Sequence, residues 1–438
     1  MTAGQARRFP ADLVDFERGV ASRRLFVDRD IYDRELENIF SRCWLFVGHE
    51  SQIPNPGDFV LSRMGEESVI LNRDQGGKLH VFLNTCRHRG MRVCRYDFGN
   101  AREFMCPYHG WLYGADGTLQ GVPQFREGYH SELDRSAWGL IEAKLETYNQ
   151  TVWATWSPDS PSLAEYLGEA RFYLDNFLAP PDGGNGRLEV IGGIQKWITP
   201  CNWKFGAENF IGDYYHGISH ESADRLVMSP SGKKGRHTLD VVKARTARVN
   251  LSYPEHGHGV RSTVVVGDFP YTSLYPDNLS VDAYFRDAHE KRCERLGEQA
   301  RVFGGGGTFF PNMSFSNGRT SIAVWHPHGP EQTEVWRYYL VPEDAPQEVK
   351  DVLRHYVIRY QGPSGLTEQD DLENWNMAAA ASRGTIARRH PYNYQMGLGH
   401  ETMTGRYEWL ARGGQVTEGI TEQNQRGFLK RWVALMQD

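Results

Sequence analysis

Several things are scarce in this sequence, and each shortage excludes a class of protein. No apolar run is long enough to span a bilayer. The opening stretch, MTAGQARRFPADLVDFERG, lacks the apolar segment of a signal peptide. The expectation is a cytoplasmic chain with no membrane attachment. Positive charge is not in surplus: 49 Lys and Arg face 55 Asp and Glu, a net charge of −6. Nothing is left over to answer the phosphates of a nucleic acid. There is no Gly-rich dinucleotide fingerprint. Cysteine is sparse, with six in 438 residues. In a long cytoplasmic chain these read as core residues or metal ligands, not as a disulfide framework. Internal repeats and low-complexity segments are also missing.

What is present supports two cores. The chain is long for one, and 39% of its residues are apolar and 12% aromatic. A helical stretch over 32–40 leads into short β-type runs at 44–47, 59–63, 68–72 and 79–84. Each is bounded by Gly, Pro, Asn or Asp, the pattern of a small antiparallel β-domain. After a further run at 151–155, the Ser- and Pro-rich stretch 157–162 marks a boundary. Longer strands are expected at 187–199, 239–249, 320–325 and 335–341, with helices at 347–360 and 370–382 and near the C-terminus. The fold class is α+β. Three segments result: 1–40 leading, 41–160 β-rich, and 161–438 mixed.

The strongest local signal is Cys86-Arg87-His88, followed by Cys106-Pro107-Tyr108-His109. One Cys-x-His loop and one Cys-x-x-His loop can ligate a [2Fe–2S] cluster, two thiolates on one iron and two imidazoles on the other. This is the Rieske arrangement, and its neutral imidazoles raise the potential above that of an all-Cys cluster. Such a centre suits a protein that accepts electrons from a ferredoxin and passes them on. A structural Cys2His2 zinc site uses the same ligands. Zinc sites, however, usually pair Cys with Cys and His with His, whereas each loop here carries one of each. Gly110 permits a tight turn beside the cluster, and Trp111 can shield it. Cys94 lies outside both loops and reads as a small core residue.

A second constellation lies in Asn202-Trp203-Lys204-Phe205-Gly206-Ala207-Glu208-Asn209-Phe210-Ile211-Gly212-Asp213-Tyr214-Tyr215-His216-Gly217-Ile218-Ser219-His220. If the segment is one helix, His216 and His220 share a face with Asp213. Two imidazoles and a carboxylate form the facial triad of non-haem iron(II) oxygenases, with positions left open for O2. The run Glu368-Gln369-Asp370-Asp371 offers the carboxylate. By itself a His-x3-His pair more often belongs to a core or a solvated face. Its coexistence with the cluster motif and the acidic run changes that balance. The pairs His256/His258 and His326/His328 have no obvious third ligand and read as loop or strand-end residues.

With CRH…CPYHGW, NWK…AENFIGDYYH…H and EQDDLENW in view, the sequence resembles the large subunits of aromatic-ring-hydroxylating dioxygenases, the naphthalene and biphenyl group. The resemblance spans nearly the whole chain. It implies a β-rich Rieske domain and a catalytic domain whose antiparallel sheet is flanked by helices, with the first few dozen residues packed on the latter. It also implies that Cys86, His88, Cys106 and His109 hold the cluster, and that His216, His220 and Asp371 hold a mononuclear iron(II). Asp213 resembles the carboxylate that links the cluster histidine of a neighbouring subunit to an iron-binding histidine, a role that also orients the imidazole. Three residues separate His216 from His220 here, where relatives usually carry four or more.

The implied reaction adds both atoms of O2 to an aromatic ring, giving a cis-dihydrodiol. The implied partners are a small β subunit in an α3β3 assembly, a ferredoxin and an NAD(P)H-dependent reductase. By family position, Asn209, Phe210, Tyr214, Gly217, Gly306, Gln361 and Thr367 lie near the substrate. The glycine run 304–307 removes side-chain volume and points to a roomy pocket for a bulky or polycyclic ring, or else to a flexible loop. The competing functions are a Rieske monooxygenase or demethylase, a pure electron carrier, and a zinc-stabilised binding protein. A carrier has no use for a second large domain with its own ligands.

Overall fold

In the computed structural model, residues 11–222, 226, 245–317, 320–401 and 405–437 are described. The chain divides into two compact units, Phe40–Tyr166 and the combination of Met1–Ile39 with Leu167–Asp438.

The smaller unit is built from short antiparallel strands. Asp58–Met64 turns back into Glu67–Arg73 through a two-residue connection, with Gly65 at φ +63° supplying the left-handed backbone that such a hairpin needs. Leu79–Leu83 extends this sheet, and a second hairpin pairs Glu103–Met105 with Leu112–Gly114. Phe59, Ile70, Phe82, Phe104, Trp111 and Tyr113 fill the core between them, with Phe59 and Phe104 meeting edge to face. Cys94 packs in this core. Only the connections that leave the sheets are free to carry chemistry.

In the larger unit the sheet strands are β1 (Leu188–Val190), β2 (Gln195–Thr199), β3 (Arg245–Tyr253), β4 (His258–Val266), β5 (Val302–Phe309), β6 (Met313–Ser316), β7 (Ser321–Pro327), β8 (Thr333–Pro342) and β9 (Gln415–Glu418). Among the described residues they form one antiparallel sheet ordered β1-β8-β7-β6-β5-β4-β3-β9, with β2 also paired to β8. The expected strand 187–199 is thus two strands on the same neighbour. The expected strand 239–249 is seen from Arg245 onward, and 239–244 lies outside the described residues.

Helices flank this sheet: α1 (Arg171–Leu178), α2 (Trp203–Gly212), α3 (Leu279–Leu296), α4 (Gln347–Tyr360), α5 (Leu366–Ser382) and α6 (Gln423–Gln437). α2 is buried almost all round, as a helix apolar on every side must be, and packs on β4 to β7 with α6 alongside. Its Lys204 is fully buried and pairs with Glu35, which also accepts the indole N–H groups of Trp203 and Trp432. Such a pair is costly to break, about 3–5 kcal/mol if one partner is removed. The segment before Ile39 is tied to this unit by it.

The glycine run is not a loop. It lies within β5, where Gly305 has φ +110° at a register shift opposite Ser262 and Thr263. A Cβ on Gly305 would meet the Arg261 carbonyl at 2.2 Å, and one on Gly306 the Phe315 carbonyl at 2.5 Å. Close backbone approach, not flexibility, requires glycine there.

Candidate metal centres

The two cysteine-histidine loops turn out to be built alike. In each, the Cys N–H donates to the carbonyl five residues on, Met91 (2.8 Å) or Trp111 (2.8 Å). In each, the Cys carbonyl accepts from a glycine four residues on, Gly90 (2.9 Å) or Gly110 (3.0 Å). Both glycines sit at φ near +73°, at 74° and 72°. The second loop closes a hairpin whose last pair is Met105 and Leu112. Sequence reasoning placed Gly90 in the flank of the first loop but gave the tight turn to Gly110 alone.

The donor set is divided by exposure. Cys86 and Cys106 are buried, and Cys86 Sγ also contacts the Tyr113 hydroxyl at 3.3 Å. Burial pushes the Cys106 thiol up, and the adjacent Cys86 adds to this, so the two thiols together call for positive charge. His88 and His109 lie on the outer side, with Nδ1 atoms facing each other at 3.1 Å. Trp111 stacks on His88 at 5.1 Å, and Tyr108 on His109 at 3.7 Å. Two thiols on the inside and two imidazoles on the outside fit a two-iron cluster with unlike ends.

The iron site departs from the expected single helix. α2 stops at Gly212, Asp213 leaves helical geometry (φ −75°, ψ 96°), and Tyr215–His220 forms a separate 3-10 turn. The reason is local. The Asp213 carboxylate accepts the N–H groups of Tyr215 (2.8 Å) and His216 (3.1 Å), capping a new turn in place of continuing the old one. The histidines converge even so, with Nε2 atoms 3.1 Å apart and rings nearly perpendicular at 84°. Asp371, delivered by α5, places Oδ1 at 3.6 Å from His216 Nε2 and 3.4 Å from His220 Nε2. That oxygen is buried with no hydrogen-bond partner, which is costly unless a cation occupies the gap. Two imidazoles and one carboxylate, converging from one side, fit a facial iron site.

Around the triad stand two more carboxylates. Asp213 Oδ2 lies 3.4 Å from His216 Nδ1. Asp370 Oδ2 lies 3.3 Å from His220 Nδ1 and accepts from the Ser222 hydroxyl at 2.7 Å. Each histidine is therefore oriented from behind. Asp370 was not singled out from sequence, although its place beside Asp371 in the acidic run was visible. Burial pushes the Asp371 carboxyl up to about 7, against the pull of His216. Burial alone would lower His216, but the Asp213 contact and the Asp371 charge outweigh it and raise it. One turn before Asp371, Glu368 forms a buried two-pronged pair with Arg337 on β8, with bonds of 2.7 to 3.0 Å. This pair sets the position of α5, and sequence reasoning missed it.

The triad lines a cavity of about 990 Å³. Asn209, Phe210, Tyr214, Gly217, Gln361 and Thr367 all lie on its wall, whereas Gly306 does not and Gly305 does. The histidine pairs His256/His258 and His326/His328 are not part of it. His258 instead accepts the Phe310 N–H at 3.0 Å inside the sheet.

Fold and site together define a Rieske-type oxygenase: a cluster-binding β-domain joined to a mononuclear-iron domain. Comparison with known proteins agrees. Residues 43–148 match the Rieske [2Fe-2S] domain, and residues 163–437 match the catalytic domain of ring hydroxylating alpha subunits. The chain belongs to the ring-hydroxylating dioxygenase alpha subunits. It is 40% identical to the alpha subunit of biphenyl 2,3-dioxygenase from Rhodococcus jostii, covering 97% of this chain and 91% of that one. It is 37% identical to the alpha subunit of benzene 1,2-dioxygenase from Pseudomonas putida, covering 97% and 92%. Naphthalene 1,2-dioxygenase from a Rhodococcus species, solved with indole bound, superposes with a TM-score of 0.81 at 33% identity, covering 95% and 94%. The cofactors of this family are a Rieske [2Fe–2S] cluster and a mononuclear iron, and the zinc reading is set aside. No helix among the described residues is long and apolar enough to cross a membrane.

Proposed function

We propose that this chain is the catalytic subunit of a multicomponent dioxygenase that adds both atoms of O2 to adjacent carbons of a bulky aromatic ring system, giving a cis-dihydrodiol. The observation that carries this reading is the convergence of His216, His220 and Asp371 on the wall of a cavity of about 990 Å³. That volume stands at the upper end of the usual range of about 300–1,000 Å³ for small-molecule sites. A single ring would leave most of it empty.

When bound, the cluster supplies a store of single electrons and the iron a place for O2 to be reduced. Cys86, His88, Cys106 and His109 hold the first, and His216, His220 and Asp371 the second. Asp213 and Asp370 keep the two imidazoles in one tautomer and one orientation. Phe210 and Phe177 present apolar surface to the substrate and keep water from the reacting carbons. Asp213, whose carboxylate is partly exposed, accepts a cluster histidine from a neighbouring copy. The working assembly is α3β3 with a small β subunit, supplied by a ferredoxin and an NAD(P)H-dependent reductase in the cytoplasm. None of the six cysteines is joined in a disulfide, in keeping with a reducing compartment.

The test is product analysis in the presence of electron-transfer partners and isotopically labelled dioxygen. Within a panel of aromatic compounds, two-ring and three-ring members are expected to yield cis-dihydrodiols with both oxygens labelled. A product with one labelled oxygen, or turnover confined to single-ring compounds, overturns the reaction or the substrate size.

A further inference from the structure

One cation on the cavity wall differs from all its neighbours. α3 carries four Lys and Arg side chains, and three have carboxylate partners: Arg286 with Asp282, Lys291 with Asp287, and Arg295 with Asp182. Arg292 has none among the described residues. It faces the cavity with Phe285 and His289, at helical spacing along one side of α3. Its one hydrogen bond among the described residues goes to a neutral group, the Asn176 amide oxygen at 3.2 Å. A guanidinium carries five donors, so most of this one is uncommitted. Burial holds it below its ordinary range, as befits a cation short of counter-charge.

A second arginine repeats the pattern from the sheet. Arg261 of β4 lines the same cavity, donates to the Asp213 carbonyl at 2.7 Å, and lies over the Tyr214 ring at 5.5 Å. It too has no carboxylate partner among the described residues. The carboxylates on the wall, Asp213 and Asp371, are engaged with the histidines. The cavity therefore combines aromatic surface with two guanidinium groups that have no ion-pair partner among the described residues, Asp182 and Asp371 acting on Arg292 and Arg261 from beyond ion-pair distance. A pocket for a plain hydrocarbon gains nothing from a half-buried cation and bears its desolvation cost.

We infer that the substrate is an aromatic acid, a bulky ring system carrying a carboxylate that Arg292 binds, with Arg261 contributing positive field. The inference rests on the ring-oxygenation reading above and adds the chemical class of the substrate. Planar, forked donors suit a carboxylate better than any other common ring substituent. The carboxylate anchors one end of the molecule and leaves the unsubstituted ring edge for the iron.

The test is calorimetric binding to the holoenzyme, which needs no turnover and so stands apart from the reaction itself. The probes are a naphthalene monocarboxylate and a biphenyl monocarboxylate, each against its neutral carboxamide. The wild type is expected to bind at least one carboxylate about tenfold or more tightly than its carboxamide. Arg292→Gln is expected to abolish that preference while leaving the carboxamide's Kd within about twofold, and Arg292→Lys to restore part of it. Melting temperature and cluster absorbance report whether each variant is folded. Equal affinities for acid and amide in the wild type overturn the inference. So does a preference that survives in Arg292→Gln.

Discussion

The two metal centres of this protein are built on opposite plans. Each cluster loop is a six-residue unit, closed by its own backbone hydrogen bonds and turned by its own glycine. It carries one buried thiol and one exposed imidazole, and the two loops are near neighbours in sequence. The iron site has no such autonomy. Its two histidines sit on a short 3-10 turn, and its carboxylate comes from a helix about 150 residues away, aligned by a buried ion pair to the sheet. Local geometry makes a motif, and long-range geometry makes a site that no motif fully describes. The exposed histidines of the first suit exchange of electrons with other proteins. The buried triad of the second suits chemistry that must exclude water.

The sharpest way to test that division is to remove one ligand from each centre. Asp371→Ala is expected to release the mononuclear iron and take product formation to background, with the visible absorbance of the cluster intact. Cys106→Ser is expected to do the reverse for the metals, losing absorbance and labile sulfide while retaining the mononuclear iron. Metal and sulfide analysis reads both, and a variant that lost both groups together would contradict two independent centres.

The next largest effect concerns the carboxylates behind the histidines. Losing such a group typically costs about 10–100-fold in metal affinity or activity. Asp370→Ala is expected to act on iron affinity, because Asp370 orients His220. Asp213→Ala is expected to act on turnover with iron retained, because Asp213 also faces outward. Iron titration alongside product formation separates the two. Full product formation by Asp213→Ala would remove it from the electron route.

The smallest effect is a pH dependence that only the buried site should show. In the metal-free chain Asp371 is raised to about 7 by burial, so the folded protein holds that proton more tightly than the unfolded chain does. Its ionisation therefore costs metal-free stability as pH rises through about 7, and iron must displace the proton to bind. Iron(II) affinity is expected to fall about tenfold between roughly pH 8 and pH 6. A flat profile over that range would mean that Asp371 is already ionised before metal arrives.

How much of this was legible in the residues follows from the same contrast. The two Cys-His loops, the helix Gln347–Tyr360 and the strand Thr151–Thr155 could be read off from spacing, turn residues and periodicity. The continuous helix from Asn202 to His220 could not stand, because an aspartate that caps a turn is invisible to a pattern of every third or fourth residue. The glycine run was read as missing volume, whereas the backbone of two neighbouring strands fills that space.

By itself the sequence determined the ligand types, the division into a cluster-binding and an iron-binding part, and the α+β class, since these depend on residues near one another along the chain. The resemblance already pointed to Asp371, and only the tertiary structure decided that its neighbour Asp370 stands behind His220. It also decided which arginine of α3 faces the cavity without a counter-charge. Both depend on how α3, α5 and the sheet are packed, and packing is a property of contacts between residues far apart in the chain.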